Sequence, residues 1–271
     1  MKAEERNAQI KTKIERALVH IGELKSECSR FVESSPYLVQ VRRAPLTRRP
    51  IYYVASVQHT PHQIALIAGD VLQNLRSALD HLAYQLVVVG KNSPGPFSHV
   101  YFPIADNAEK YLAERNRKVA GMREYAIAAI DAVKPYQGGN DLLWRLHRLN
   151  NIDKHRLLIA VGSAYRSVNV GGVLERHLRT TLESSPAMAH LSKDLPKMDV
   201  FIKPADKLCP LKAGDELFVG LPDAPFDEPM QFRFEVAFGE QEVKGEPILE
   251  TLHQMADMVS HLVDDFTPFL H

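Results

Sequence analysis

Residues 60–89 hold the pattern that most restricts the fold. Thr60 followed by Pro61 marks a helix start, the hydroxyl serving as cap and the proline occupying the first turn, where a missing N–H costs nothing. From there to about Val89, at 100° per residue, Ile64, Ala68, Val71, Leu75, Ala78, Leu79, Leu82 and Leu86 gather on one side. The other side collects Asp70, Gln73, Asn74, Arg76, Ser77, Asp80, His81 and Tyr84. A solvated helix face favours Lys and Glu, which are good helix formers, whereas Asn, Ser, Asp and His bond at short range. The polar stripe is therefore expected to face another element, with a solvated face as the alternative.

A second helix supplies the matching anomaly. In DLLWRLHRLNNIDKHRLL the apolar arc runs through Leu142, Leu146, Leu149 and Leu157, yet Asn150 and Asp153 fall inside it. Buried without partners, each would cost ~1–3 kcal/mol, and a lone carboxylate more. Donors are available on the first helix, so the two helices are expected to face each other across a network of Asn150, Asp153, Arg76 and His81, with Asn74, Ser77 and Asp80 beside it. His147, Asn151, His155 and Arg156 are expected toward the other face. The network reads either as an active site or as a structural device that fixes helix register.

The remaining elements follow from periodicity. Residues 3–33 repeat apolar positions at Ile10, Ile14, Ala17, Leu18, Ile21, Leu24, Cys28 and Phe31, an amphipathic helix. YLVQVRR and PIYYVASV, joined by a turn, read as a hairpin. Shorter helices are expected at about 107–118 and 121–133. From about 157, LLIAVG, YRSVNVGG, MDVFIKP, DELFVG and QFRFEVAF read as strands, with a helix in LERHLRTTLESS. Pro247 opens a final helix carrying Ile248, Leu252, Met255, Val259, Leu262 and Phe266. The expected class is α+β: an N-terminal helical bundle with an inserted β-hairpin, then a small mostly antiparallel sheet and a C-terminal helix. The expected division is a bundle over 1–156 with the hairpin near 37–57, a β-rich region over 157–245, and a helix over 246–271 that packs back on the bundle.

Charge is balanced in total, Lys+Arg 33 against Asp+Glu 33, but not in distribution. From Asp215 onward 13 acidic side chains face only Arg233 and Lys244, a net of −11, leaving +11 on residues 1–214. Such a split suits a basic body that meets phosphate behind a shielding tail, or two parts that pack as complementary surfaces. The densest cationic cluster is Arg42, Arg43, Arg48 and Arg49 at the hairpin turn, a candidate phosphate contact or a solvated tip. Two cysteines, Cys28 and Cys209, form neither a disulfide framework nor a zinc site. The charged N-terminus and the absence of a long apolar run give no signal peptide and no membrane span, so the expected location is cytoplasmic.

Two phrases, GDVLQNLRSALDHLAYQL at 69–86 and LWRLHRLNNIDKHRLL at 143–158, resemble those of an uncharacterised family of bacterial proteins of this size. The arrangement also resembles the HEPN superfamily, helical bundles that include metal-independent endoribonucleases of toxin and defence systems. Their motif sets four to six residues between an arginine and a histidine, matched by Arg76 with His81, four apart by that count, and by Arg148 with His155, at six. The residue after the arginine, usually Asn, Asp or His there, is Ser77 or Leu149 here. The resemblance implies RNA cleavage by attack of a 2′-hydroxyl on the adjacent phosphate, with His81 moving the proton and Arg76 stabilising the phosphoryl oxygens. It further implies a homodimer, RNA as partner, no cofactor, and Asn150 and Asp153 as orienting residues.

Other chemistries find less support. A metal site would draw on His59 and His62, or on His81, Asp153 and His155, without any recognised ligand spacing. No GxSxG and no phosphate-loop or dinucleotide fingerprint is present. The main rival to the ribonuclease is a noncatalytic interaction or ligand-binding protein whose polar network serves structure.

Overall fold

The computed structural model describes residues 3–169, 171–195, 201–202, 208–220, 230 and 232–271. The chain is α+β and divides into two compact units, one of residues 1–29, 61–160 and 238–271, the other of 30–60 and 161–237. Among the described residues no helix is long and apolar enough to cross a membrane.

The first unit is helical. It contains most of α1 (Ala3–Glu33), then α2 (His62–Lys91), α3 (Ala108–Lys118), α4 (Glu124–Val133), α5 (Asp141–Asp153) and α7 (Ile248–Phe266). Helix α2 is the axis, packed against both α5 and α7, and α5 also packs on α7. Its apolar arc is buried as the periodicity requires, with Ile64, Ala68, Val71, Leu75, Leu79 and Leu82 all at 0% exposure. Met255, Val259 and Val263 of α7 are equally buried, so the C-terminal helix completes this core. The start of α2 differs from expectation. Pro61, not Thr60, is the cap residue, and no side chain caps it. Instead the Ile64 N–H bonds to the Pro61 carbonyl at 3.1 Å. At the other end Asn92 takes the left-handed conformation and its N–H reaches the Val88 and Val89 carbonyls.

Helix α5 stops at Asp153, sooner than its apolar pattern suggested. Leu157 lies beyond the end and is 43% exposed, so it is not part of the core stripe. The cause is a distant partner. The Arg156 guanidinium makes two bonds to Glu240, at 2.8 and 2.7 Å, and the Ile159 N–H bonds the same carboxylate at 2.8 Å. Glu240 is buried, and three donors converging on it draw this segment out of helical path.

The charge asymmetry resolves in the same place. Arg145, Arg148 and Arg156 pair with Glu246, Glu242 and Glu240 at 2.9, 3.1 and 2.7 Å, and Lys11 pairs with Asp264 at 2.6 Å. Basic residues of the body and acidic residues of the tail thus meet as complementary surfaces.

The second unit holds β1 (Tyr37–Arg43), β2 (Pro50–Val57), β3 (Ala160–Asn169, which begins at the last residue of the first unit), α6 (Gly171–Glu183), β4 (Phe201–Ile202), β5 (Glu216–Val219) and most of β6 (Phe232–Phe238). β1 and β2 form the expected antiparallel hairpin, with Tyr37 opposite Val57 and Arg43 opposite Pro50. The sequence reading attached this hairpin to the helical bundle and expected one sheet after it. In the structure β2 also pairs with β5, and the strands form two three-stranded sheets, ordered β1-β2-β5 and β4-β3-β6. Aromatic packing accompanies the pairing: Tyr37 lies 4.5 Å from Phe234, and Tyr52 lies 5.9 Å from Phe232 between ring centroids. Of the expected run 198–204 only Phe201–Ile202 falls among the described residues, and Val170 and Gln231 lie outside them.

Candidate functional site: the polar seam between α2 and α5

Helices α2 and α5 do face each other, but the polar groups between them are partnered differently from the expected network. Arg76, placed by the helical projection on the polar side of α2, is instead buried, at 6% exposure. Its Nη2 donates to the Phe102 carbonyl at 2.9 Å and lies 2.9 Å from Asp80 Oδ1. That same Asp80 oxygen accepts the Phe102 N–H at 2.9 Å. One i,i+4 ion pair therefore holds both backbone groups of Phe102, whose fully buried ring sits edge-on to Phe266. The energetics are those of a buried pair. Burial pushes the Arg76 guanidinium below its ordinary value while Asp80 acts against that shift. Burial likewise raises the Asp80 carboxyl, opposed first by Arg76 and then by the Phe102 N–H.

His81 does not join Arg76. Five residues of α-helix turn it about 140° away, and its side chain is exposed. Partial burial and the nearby Lys13 lower its pKa, with Asp80 acting in the opposite sense. Asn74 and Ser77 turn back on their own helix. The Asn74 amide donates to the Asp70 carbonyl at 2.8 Å, and the Ser77 hydroxyl has only a long 3.5 Å contact from Gln73.

On α5, Asp153 reaches α2 without meeting Arg76 or His81. Its carboxylate occupies the space where a Cβ on residue 69 would stand, so the glycine there admits α5 at close range. Burial and the neighbouring Asp70 raise the Asp153 carboxyl above its usual range. His147, expected on the far face, is half-buried on the α2 side. Burial and then the charge of Arg76, with Lys118 and Lys154, push its pKa down to about 4. Its Nε2 lies 3.0 Å from the Asn151 amide nitrogen. With that amide donating, Nε2 accepts and the proton resides on Nδ1. Asn150 is 1% exposed, and neither its Nδ2 nor its Oδ1 has a hydrogen-bond partner in the protein. The same holds for Arg76 Nη1 and His147 Nδ1.

The other expected site residues lie apart. His155 and Arg156 follow the end of α5 and are exposed, with Arg156 engaged by Glu240. In the second unit, Arg42 pairs with Glu216 at 2.8 Å and lies over the Tyr53 ring. Arg43 donates to the Arg48 carbonyl and Arg49 to the Gly220 carbonyl, at 2.9 and 2.8 Å. Arg48 takes a positive φ of 55° in the turn. Arg42 and Arg49 thus tie the hairpin to β5 and the residue that follows it, and Arg43 ties the hairpin's own turn.

Gly69, Phe102 and Glu240 escaped the sequence reading, and His147 was set on the wrong face. Gly69 alone left a trace, since glycine inside a helix costs about 1 kcal/mol and asks for a packing reason. Among the described residues no group of three or more His, Cys, Asp or Glu is arranged to hold a metal. A cleft of about 360 Å³ lies at the C-terminal end of α2, lined by Arg6, Tyr84, Gln85, Ser93 and Arg123 among others. No protein-family model matches the chain, and no similar curated protein or solved structure was found.

Proposed function

We propose that the chain is a noncatalytic ligand-binding or interaction protein, and that its Arg76–Asp80 pair serves the fold. The observation that carries this reading is the engagement of the Arg76 guanidinium by Phe102 and Asp80, at 6% exposure. A metal-independent ribonuclease needs an arginine whose N–H groups face a phosphate beside a histidine that moves the proton. Here Arg76 is buried and engaged while His81 is exposed, so within one chain the two do not face a common point. The second arginine at motif spacing, Arg148, has Glu242 as its partner. Both arginines are thus matched to carboxylates within the chain, which favours a structural role for them over turnover.

The test is incubation of the purified protein with a labelled, structured RNA mixture in EDTA, alongside His81→Ala and Arg76→Ala. The expected result is no cleavage, an unchanged melting temperature for His81→Ala, and a loss of about 3–5 kcal/mol for Arg76→Ala, which leaves Asp80 and the Phe102 carbonyl without their partner. Cleavage that persists in EDTA and disappears in folded His81→Ala would overturn the proposal and restore the ribonuclease. A gel shift of RNA without cleavage would keep the binding reading and name nucleic acid as the ligand.

A further inference from the structure

We infer that the α2–α5 seam encloses a guest that both accepts and donates hydrogen bonds, an ordered water, seated between Asn150 and Arg76. Two residues of α5 fix where Asn150 points. Asp153 lies against Gly69, and His147 lies within electrostatic range of Arg76, so both look toward α2. At 100° per residue Asn150 projects midway between them, about 60° from each. Moving from Asp153 to His147 along α5 moves from Gly69 to Arg76 along α2. The helices therefore run antiparallel here, and Asn150 stands level with the middle of that interval, about one turn from Arg76.

The open hydrogen-bonding positions define the guest. Arg76 Nη1, Asn150 Nδ2 and His147 Nδ1 are donors, and Asn150 Oδ1 is an acceptor, all buried and without a partner in the protein. Buried polar groups in native proteins are nearly always satisfied, so four such atoms in one seam call for an occupant. A cation would be repelled by Arg76. An oxyanion would serve the donors but has no hydrogen to give Asn150 Oδ1. Water accepts two bonds and donates two, so one molecule can take up Arg76 Nη1 and one further donor while giving a hydrogen to Asn150 Oδ1, the three bonds or so that buried waters typically make.

Asn150→Leu, which keeps the volume and removes the polar atoms, tests this by the sign of its effect. With a bridging water in place, the variant strands the guest and Arg76 Nη1, and the urea midpoint falls. If the amide is simply buried without a partner, removing it raises the midpoint, and the inference fails. A high-resolution crystal structure of the unmodified protein decides the case even if the variant does not fold. A single spherical peak within hydrogen-bond distance of Asn150 Oδ1 supports the assignment. A direct Asn150–Arg76 bond, a dry seam, or density too large for one water overturns it.

Discussion

Gly69→Ala is the most incisive perturbation of the seam, because its sign depends on one neighbour. Inside a helix, alanine in place of glycine stabilises by about 1 kcal/mol. At position 69 the new Cβ falls on the Asp153 carboxylate, with Cγ at 2.6 Å, and all three terminal atoms of that side chain must move. Overpacking of this kind costs about 1–3 kcal/mol, so the single variant is expected to be neutral to about 2 kcal/mol less stable. In an Asp153→Ala background the obstruction is gone and the same change should stabilise by about 1 kcal/mol. The coupling between the two sites is then about 1–3 kcal/mol. The assay is urea unfolding of the four proteins followed by the fluorescence of Trp144, the chain's single tryptophan, which lies on α5 and so reports on this unit. Additivity within about 0.5 kcal/mol would show that the Asp153 carboxylate does not hold its place against residue 69, and the packing reason assigned to this glycine would fall with it.

Two further outcomes follow from the same residues. His147 stays neutral in the fold down to about 4, whereas an unfolded histidine takes up its proton near ~6.5. The unfolded chain therefore binds the proton first, and stability falls as pH drops through that window, by at most about 3 kcal/mol. Asp80 and Asp153, whose carboxyls are raised, work in the opposite sense, so the difference between wild type and His147→Gln isolates the histidine. A difference that stays flat from pH 7 to pH 4 would refute the assignment. Asp80→Ala removes the acceptor of the Phe102 N–H. Hydrogen exchange at that amide should then rise about tenfold or more, as expected for loss of a bond worth ~1.4 kcal/mol. Unchanged protection at Phe102 would mean that the ion pair does not hold this segment.

The helices were legible because helical order is written in local repeats. α1, α2 and α7 appear where the 3.6-residue spacing of apolar positions placed them, and so does the hairpin of β1 and β2. The sequence also marked Asn150 and Asp153 as polar residues in an apolar arc, but set Arg76 on the polar side of its helix. These are statements about what each residue requires: partners for the amide and donors for the carboxylate.

Which group meets each requirement was decided by the tertiary structure. Arg76 finds the backbone of Phe102, 26 residues away, and not Asn150 or Asp153. Arg156 ends the α5 segment by reaching Glu240, 84 residues on, and Arg42 is taken by Glu216 across 174 residues. The hairpin joins β5 because edge strands pair with whatever strand the fold delivers to them. Periodicity depends on neighbours within one or two turns and can be read along the chain. Pairing of buried charges and strand edges depends on groups brought together only when the core closes, and one sequence carries no marker of that meeting.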